Sequence, residues 1–114
     1  MPHIDALLPL YPDTATRRTL FELSLVHART DLAAIRQAIA IGDHTDARQQ
    51  VHRAKGTVSF LRTDAQALQP LDALTEALRD QDLGRIAQAY PAVEACLLDL
   101  EAALLRQLEE THGA

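Results

Sequence analysis

The sequence of 114 residues contains one cysteine, and no segment of it is strongly apolar over a long distance. Cys96 alone cannot form an internal disulfide or a Cys-x-x-Cys site, which excludes a disulfide-stapled secreted scaffold and a cysteine-based zinc or redox centre. No stretch approaches the roughly 18–20 apolar residues of a membrane span. Residues 1–12 lack the basic and then apolar order of a secretory signal. We therefore expect a reducing, cytoplasmic location and no membrane insertion.

Aromatic residues are also scarce, with two tyrosines, two phenylalanines and no tryptophan. Surfaces on which nucleic-acid bases stack are difficult to build from so few rings. The formal net charge of −5 further argues against nucleic acid as a partner. Glycine (4) and proline (5) are few, whereas alanine and leucine dominate an apolar fraction of 47%. This composition favours helices, and the length fits one domain over residues 1–114.

Apolar residues recur at alternating steps of four and three along three segments, the pattern of an amphipathic helix with a bundle-like seam. In the first segment they are Phe21, Leu25, Ala28, Leu32, Ile35 and Ile39. In the second they are Ala47, Val51, Ala54, Val58 and Leu61. In the last they are Ile86, Tyr90, Val93, Leu97, Leu100 and Leu104. A shorter helix is predicted within residues 63–80, where leucines stand at positions 68, 71, 74 and 78.

Four amphipathic segments joined by short connections predict an all-α protein, an antiparallel four-helix bundle with its core in about residues 14–111. A short N-terminal helical extension is predicted between Pro9, Pro12 and the start of the chain, over residues 4–10. Gly42 should end the first helix and Asp43 should cap the second. Pro91 predicts a kink or a new start near Tyr90. The structural alternative is a three-helix arrangement with a long hairpin.

His52 is the histidine with the most informative surroundings. On a helix it lies off the buried stripe of Val51 and Ala54 and therefore faces solvent. Gly56 follows one turn later, although glycine inside a helix costs about 1 kcal/mol relative to alanine. A side chain at position 56 would lean toward His52, so its absence opens the imidazole to a large partner.

The surroundings of His52 are basic in an otherwise acidic chain. Residues 47–63 carry four basic side chains and no acidic one. Cations beside an imidazole can stabilise a phosphoryl group placed on it, and they also suit an acidic partner surface. The side chains predicted to line the docking patch around His52 are Arg48, Gln49, Arg53 and Ser59.

The pattern His52-x-x-Lys55-Gly56-Thr57 in the second helix resembles the signature of histidine-containing phosphotransfer (HPt) domains. The preceding helix with its Gly42-Asp43 turn is similar to that family as well, and the resemblance covers about residues 14–107. Two positions depart from the family pattern: Arg62 replaces a common glycine, and Ala54 replaces a larger apolar residue. These departures affect the helix end and the local core, and they leave the histidine in place.

The resemblance implies a four-helix phosphorelay intermediate with no ATP-binding lobe and no cofactor. His52 would accept a phosphoryl group from the aspartyl phosphate of a receiver domain and pass it to another receiver. Lys55 would steady the phosphoryl oxygens and Gly56 would clear the approach, while the divalent metal would belong to the receiver. The implied partners are receiver domains of response regulators or of a hybrid histidine kinase, and the module would be monomeric. The chain would be a free protein or the C-terminal domain of a hybrid kinase.

Other interpretations remain open at this stage. His52 could be an ordinary solvated histidine, and the basic stretch could be a solvated helix face. A first rival is a non-catalytic, degenerate relative that docks receivers without carrying phosphate. A second is an unrelated helical adaptor or oligomerisation bundle. An enzyme with its own substrate pocket is least favoured, because no nucleophile–base pair is visible, and no convincing set of metal ligands is found.

Overall fold

The computed structural model describes residues 13–61 and 65–113, and all regular structure within them is helical. In chain order the elements are α1 (Thr14–Ala40), α2 (His44–Leu61), a 3-10 helix (Ala65–Leu68), α3 (Gln69–Arg79) and α4 (Leu83–Gly113). Each α-helix packs against its neighbours in sequence, and α1 also packs against α4, which closes the ring. The predicted all-α four-helix bundle is confirmed. The predicted helical extension at residues 4–10 lies outside the described residues.

The turn between α1 and α2 forms as the sequence predicts. Gly42 has a φ of +76°, a left-handed conformation that is easily reached only without a Cβ. Its N–H donates to the carbonyl oxygen of Ile39 at 3.1 Å, and the N–H of Asp43 donates to that of Ala38 at 2.9 Å. The Oδ1 of Asp43 then accepts from the N–H of Asp46 at 3.0 Å, capping α2. These bonds reverse the chain and fix the level at which α1 and α2 face each other.

The core consists of the predicted apolar stripes with small displacements. In α2 all five predicted positions are buried. In α1 the stripe ends on Ala38, which is 1% exposed, while Ile39 is only partly buried. Tyr90 and Leu68 likewise lie at the edge of the core.

One prediction about helix boundaries needs correction. Helix α4 continues through Pro91, so a new start near Tyr90 is wrong. The Pro91 ring is on the exposed face, and Ile86 and Val93 on either side of it are buried, so packing offsets the roughly 3 kcal/mol that an interior proline costs. Helix α3 lies within residues 63–80, as predicted: it begins at Gln69, with Pro70 in its first turn.

Helices α1 and α4 have 27 and 31 residues, against 18 in α2 and 11 in α3. Two ion pairs connect the long helices, Arg29 with Glu101 and Arg36 with Glu94, each at 2.8 Å. Within residues 13–61 and 65–113, none of the helices combines the length and apolar character needed to cross a membrane. The candidate site lies on the solvent-facing side of α2, next to the line along which α2 packs against α1.

Candidate functional site

His52 lies near the middle of α2 and is exposed, as predicted. Its position follows from the helix register, because Val51 and Ala54 on either side are fully buried in the core. In the described part of the chain the imidazole has no hydrogen-bond or ion-pair partner. Both ring nitrogens are consequently accessible to a second molecule.

A shallow hollow of about 370 Å³ surrounds His52, and we call it the His52 hollow. It is lined by Thr45, Arg48, Gln49, His52 and Arg53. Three of the four residues predicted for docking thus lie around the imidazole, two of them guanidinium groups. Such cations stabilise phosphate oxygens through charge-assisted hydrogen bonds, so the hollow is chemically suited to an anionic group on His52.

Gly56 is exposed one turn beyond His52, and nothing in the described chain requires it to be glycine. A Cβ built on Gly56 would have no other atom within 4 Å, and its φ lies outside the left-handed region. The helix therefore loses stability at this position without a gain in packing or in a turn. Open space beside the histidine is the one local consequence of the missing side chain.

Lys55 lies on the flank of His52 that faces α3. Its Nζ is 2.8 Å from Oδ1 of Asp72, and the two groups form a half-exposed ion pair. The predicted role of Lys55 in steadying phosphoryl oxygens stays a prediction, and in this structure the ammonium group is engaged with α3. Asp72 carried no sequence signal that would have linked it to the site.

A second, larger concavity of about 520 Å³ lies between α1 and α2, and we call it the α1–α2 groove. Its apolar walls come from Leu20, Leu23 and Phe60. Leu23 and Phe60 are 56% and 47% exposed, and together they form an apolar patch in this groove. Gly56 and Arg53 also line the groove, and Arg53 is shared with the His52 hollow. Ser59 is exposed and lines neither concavity, so the structure does not bring it to His52.

Asp31 of α1 is a residue of this surface that the sequence reasoning missed. It is 3% exposed although it lines the α1–α2 groove, and Thr57 Oγ1 donates to its Oδ2 at 3.4 Å. Burial raises the pKa of the Asp31 carboxyl, while Arg53, the Thr57 hydrogen bond and His27 act in the opposite direction. Asp31 and Arg53 each lie eleven residues from Gly42, since 42 − 31 and 53 − 42 are both 11. This symmetry about the turn is the signal that could have identified the pair.

Among the described residues, no group of three or more histidine, cysteine, aspartate or glutamate side chains is placed to hold a metal ion. Comparison of the chain with known protein families, with curated proteins and with solved structures finds no match. The site combines an exposed imidazole, two adjacent guanidinium groups, a glycine that leaves space, and an apolar groove that begins at that glycine.

Proposed function

We propose that this protein is a phosphorelay intermediate of two-component signalling, an HPt module with His52 as the phosphoacceptor. The observation that carries the proposal is the exposed imidazole, without a partner in the described residues, one turn from a helical glycine whose missing side chain leaves open space. A surface histidine without a function needs no such gap. Group transfer between two proteins needs open space beside the acceptor, because the acceptor atom has to enter the partner's active site.

The proposed step is an in-line transfer. A ring nitrogen of neutral His52 attacks the phosphorus of a receiver's aspartyl phosphate, an N–P bond forms, and the acyl P–O bond breaks. The electron pair of that bond leaves with the receiver's carboxylate. Arg48 and Arg53 would offset the charge of the phosphoryl oxygens, and Lys55 would join them if it left Asp72. The reverse reaction with a second receiver passes the group on.

The α1–α2 groove supplies a surface on which a receiver could dock. Its apolar walls reach Gly56, so a partner helix seated on Leu20, Leu23 and Phe60 would lie directly beside the acceptor turn. Exposed apolar area of this kind typically marks an interaction site. Basic side chains at the rim suit the acidic surface expected around a receiver's phosphorylated aspartate.

The proposal includes a cytoplasmic, monomeric module that acts either alone or as the C-terminal domain of a hybrid sensor kinase. A single cysteine is compatible with a reducing compartment. The chemistry on this side of the transfer uses protein side chains alone, and no cofactor is assigned to the chain.

The test is phosphotransfer from receiver domains phosphorylated with acetyl phosphate to this chain. We expect acid-labile, base-stable label on the wild type and on His44→Gln, and none on His52→Gln. His44 is a suitable control because it lies on the same helix, outside the lining of the His52 hollow. Label that persists on His52→Gln would show that another residue is the acceptor.

Absence of label from every receiver tried, including any encoded nearby, would reject the relay. Binding of an unphosphorylated receiver to both wild type and His52→Gln would then favour the non-catalytic docking module. No binding at all would favour an adaptor or oligomerisation bundle that does not use the Gly56 surface.

A further inference from the structure

Asp31 is a buried acid that the proposed transfer does not use. Removing a carboxylate from water is unfavourable unless it is well paired. The hydrogen bond from Thr57 Oγ1 is long, at 3.4 Å, and in the described chain no cation comes within 4.0 Å of the Asp31 oxygens. An apolar residue at this seam position would pack without that cost. A role beyond packing would explain why an acid occupies it.

The group that Asp31 influences is Arg53. Asp31 and Arg53 line the same groove, with more than 4.0 Å between the carboxylate oxygens and the guanidinium nitrogens. The positive charge of Arg53 lowers the pKa of the Asp31 carboxyl and so opposes the effect of burial. Arg53 follows His52 directly and lines both the His52 hollow and the α1–α2 groove. Through Arg53, the negative charge of Asp31 in the groove can therefore influence the surroundings of His52.

Thr57 contacts Asp31 from the other side of the arrangement. It follows Gly56 in the acceptor turn, and its hydroxyl is bonded to Asp31. The carboxylate thus has a defined place beneath the turn and an attraction toward one long, flexible cation. Preorganising such a side chain reduces the conformational freedom that it loses when a partner binds.

We propose that Asp31 is a positioning residue: from the floor of the α1–α2 groove it holds Arg53 between the groove and the His52 hollow, where Arg53 meets the incoming receiver. The proposal rests on the phosphorelay function. It assigns Asp31 to recognition of the phosphorylated partner, not to the phosphoryl transfer itself.

The first test measures the contact without any partner. The Asp31 carboxyl carbon is titrated by NMR in the wild type and in Arg53→Gln. If Arg53 attracts the carboxylate, the pKa of Asp31 will be higher in Arg53→Gln, since the attraction that favours the ionised form is gone. The groups facing Asp31 are Arg53 and Thr57 on α2 and His27 on its own helix, so His27→Gln is the control for the remaining charge. An unchanged pKa in Arg53→Gln would overturn the proposal whatever receivers do.

The second test measures transfer against the concentration of phosphorylated receiver. Asp31→Asn keeps the shape of the side chain and its ability to accept a bond from Thr57, but removes the charge. We expect the concentration for half-maximal rate to rise by about three- to tenfold and the maximal rate to change by less than about twofold, as for other coupled side-chain pairs. Arg53→Gln should raise the half-maximal concentration by a similar factor and should also lower the maximal rate, because Arg53 offsets the charge of the phosphoryl oxygens as well. Adding Asp31→Asn to Arg53→Gln should raise the half-maximal concentration no further.

A purely structural role for Asp31 would leave the half-maximal concentration unaltered or would make the two substitutions additive. If the wild type accepts the label and either of these results is found, the positioning role of Asp31 is overturned and the phosphorelay function is not. A wild type that no receiver labels overturns the phosphorelay function and the recognition role together, so the two failures are distinguishable.

Discussion

Lys55 of α2 and Asp72 of α3 form an ion pair, with 2.8 Å between Nζ and Oδ1. The turn that carries His52 is consequently connected to both of its neighbouring helices. Lys55 joins it to α3, and Thr57 joins it to Asp31 of α1. These two contacts are polar and border the exposed surface, whereas Val51, Ala54 and Val58 of the same helix are fully buried. The bundle core sets the position of the acceptor, and the polar contacts set the charges around it.

Asp72→Asn should lengthen the lifetime of phosphorylated His52. The substitution frees the Lys55 ammonium from its partner, so the phosphoryl oxygens no longer compete with a carboxylate for it. An exposed ion pair is worth roughly 0.2–1 kcal/mol, so the gain should not exceed about fivefold. The half-life of the label at neutral pH, measured after removal of the receiver, checks this expectation.

Asp99→Asn is the matched control. Asp99 is exposed on α4, so this substitution removes one negative charge at a distance from Lys55. Lys55→Gln should shorten the lifetime and abolish the effect of Asp72→Asn. If Asp72→Asn lengthens the lifetime equally in the Lys55→Gln background, Lys55 does not hold the phosphoryl group.

Gly56→Ala should stabilise the fold and impair its function. The new Cβ meets open space, so the helix gains about 0.5–1 kcal/mol of stability from alanine. The same Cβ occupies the approach to His52, and we expect slower transfer from a phosphorylated receiver. Urea unfolding and the transfer rate measure the two effects separately.

Gly84→Ala provides the comparison within the same chain. Gly84 is in the first turn of α4, and a Cβ there meets Asp82 Oδ1 at 3.5 Å, an ordinary contact. This variant should leave transfer at the wild-type rate. Unimpaired transfer in Gly56→Ala would mean that the gap at Gly56 does not serve partner access.

The helices and most of the core follow from the sequence because apolar periodicity acts locally. Spacing alone predicts the whole buried stripe of α2 and every position of the α4 stripe except Tyr90. The Gly42-Asp43 turn has a local cause in backbone conformation and capping. Pro91 was misjudged because packing on both sides of it outweighs its local preference. That competition is tertiary and invisible in a single segment.

The site was predicted in part for the same reason. His52, Arg48, Gln49 and Arg53 share one helix face, so helix geometry alone brings them together. Asp31 and Asp72 reach the acceptor turn from other helices, and their contributions depend on how α1 and α3 pack. Ser59 was predicted from the same helix face, but it follows His52 by seven residues, about 10 Å along the helix axis, and it lines neither concavity.

Asp31→Asn should raise the melting temperature at pH 7, and the difference from wild type should disappear in acid. Burial raises the pKa of Asp31 above its ordinary value of 3.8, so the folded state binds this proton more tightly than the unfolded state. The contribution to stability is fully present below pH 3.8 and is lost as the pH rises through the raised pKa. Thermal unfolding of both proteins between pH 3 and pH 8 measures the difference.

Asp46→Asn is the control for the loss of one negative charge beside α2. Asp46 lies in the first turn of α2, the helix against which Asp31 of α1 packs. A difference between Asp31→Asn and wild type that stays constant with pH would contradict the linkage. It would place the effect in packing instead.

Glu94→Gln should show the opposite dependence on pH. Glu94 accepts hydrogen bonds from Arg36 at 2.8 Å and from the Tyr90 hydroxyl at 3.0 Å. The Arg36 bond, followed by the Tyr90 bond, lowers the pKa of Glu94 below its ordinary value of 4.5. Its contribution is therefore present above pH 4.5 and is lost as the pH falls through the lowered pKa. Glu94→Gln should melt at a lower temperature than wild type at pH 7 and at the same temperature in strong acid.

Added salt should reduce this difference at pH 7, since the pair is largely exposed. Tyr90→Phe is the complementary variant: it keeps the ring in place, removes the hydroxyl bonded to both Arg36 and Glu94, and should cost about 1 kcal/mol. Neither substitution touches the His52 hollow or the α1–α2 groove, so both variants should accept phosphate at the wild-type rate. A transfer defect in either would show that the α1–α4 contact influences the acceptor face, contrary to the division between core and polar contacts argued above.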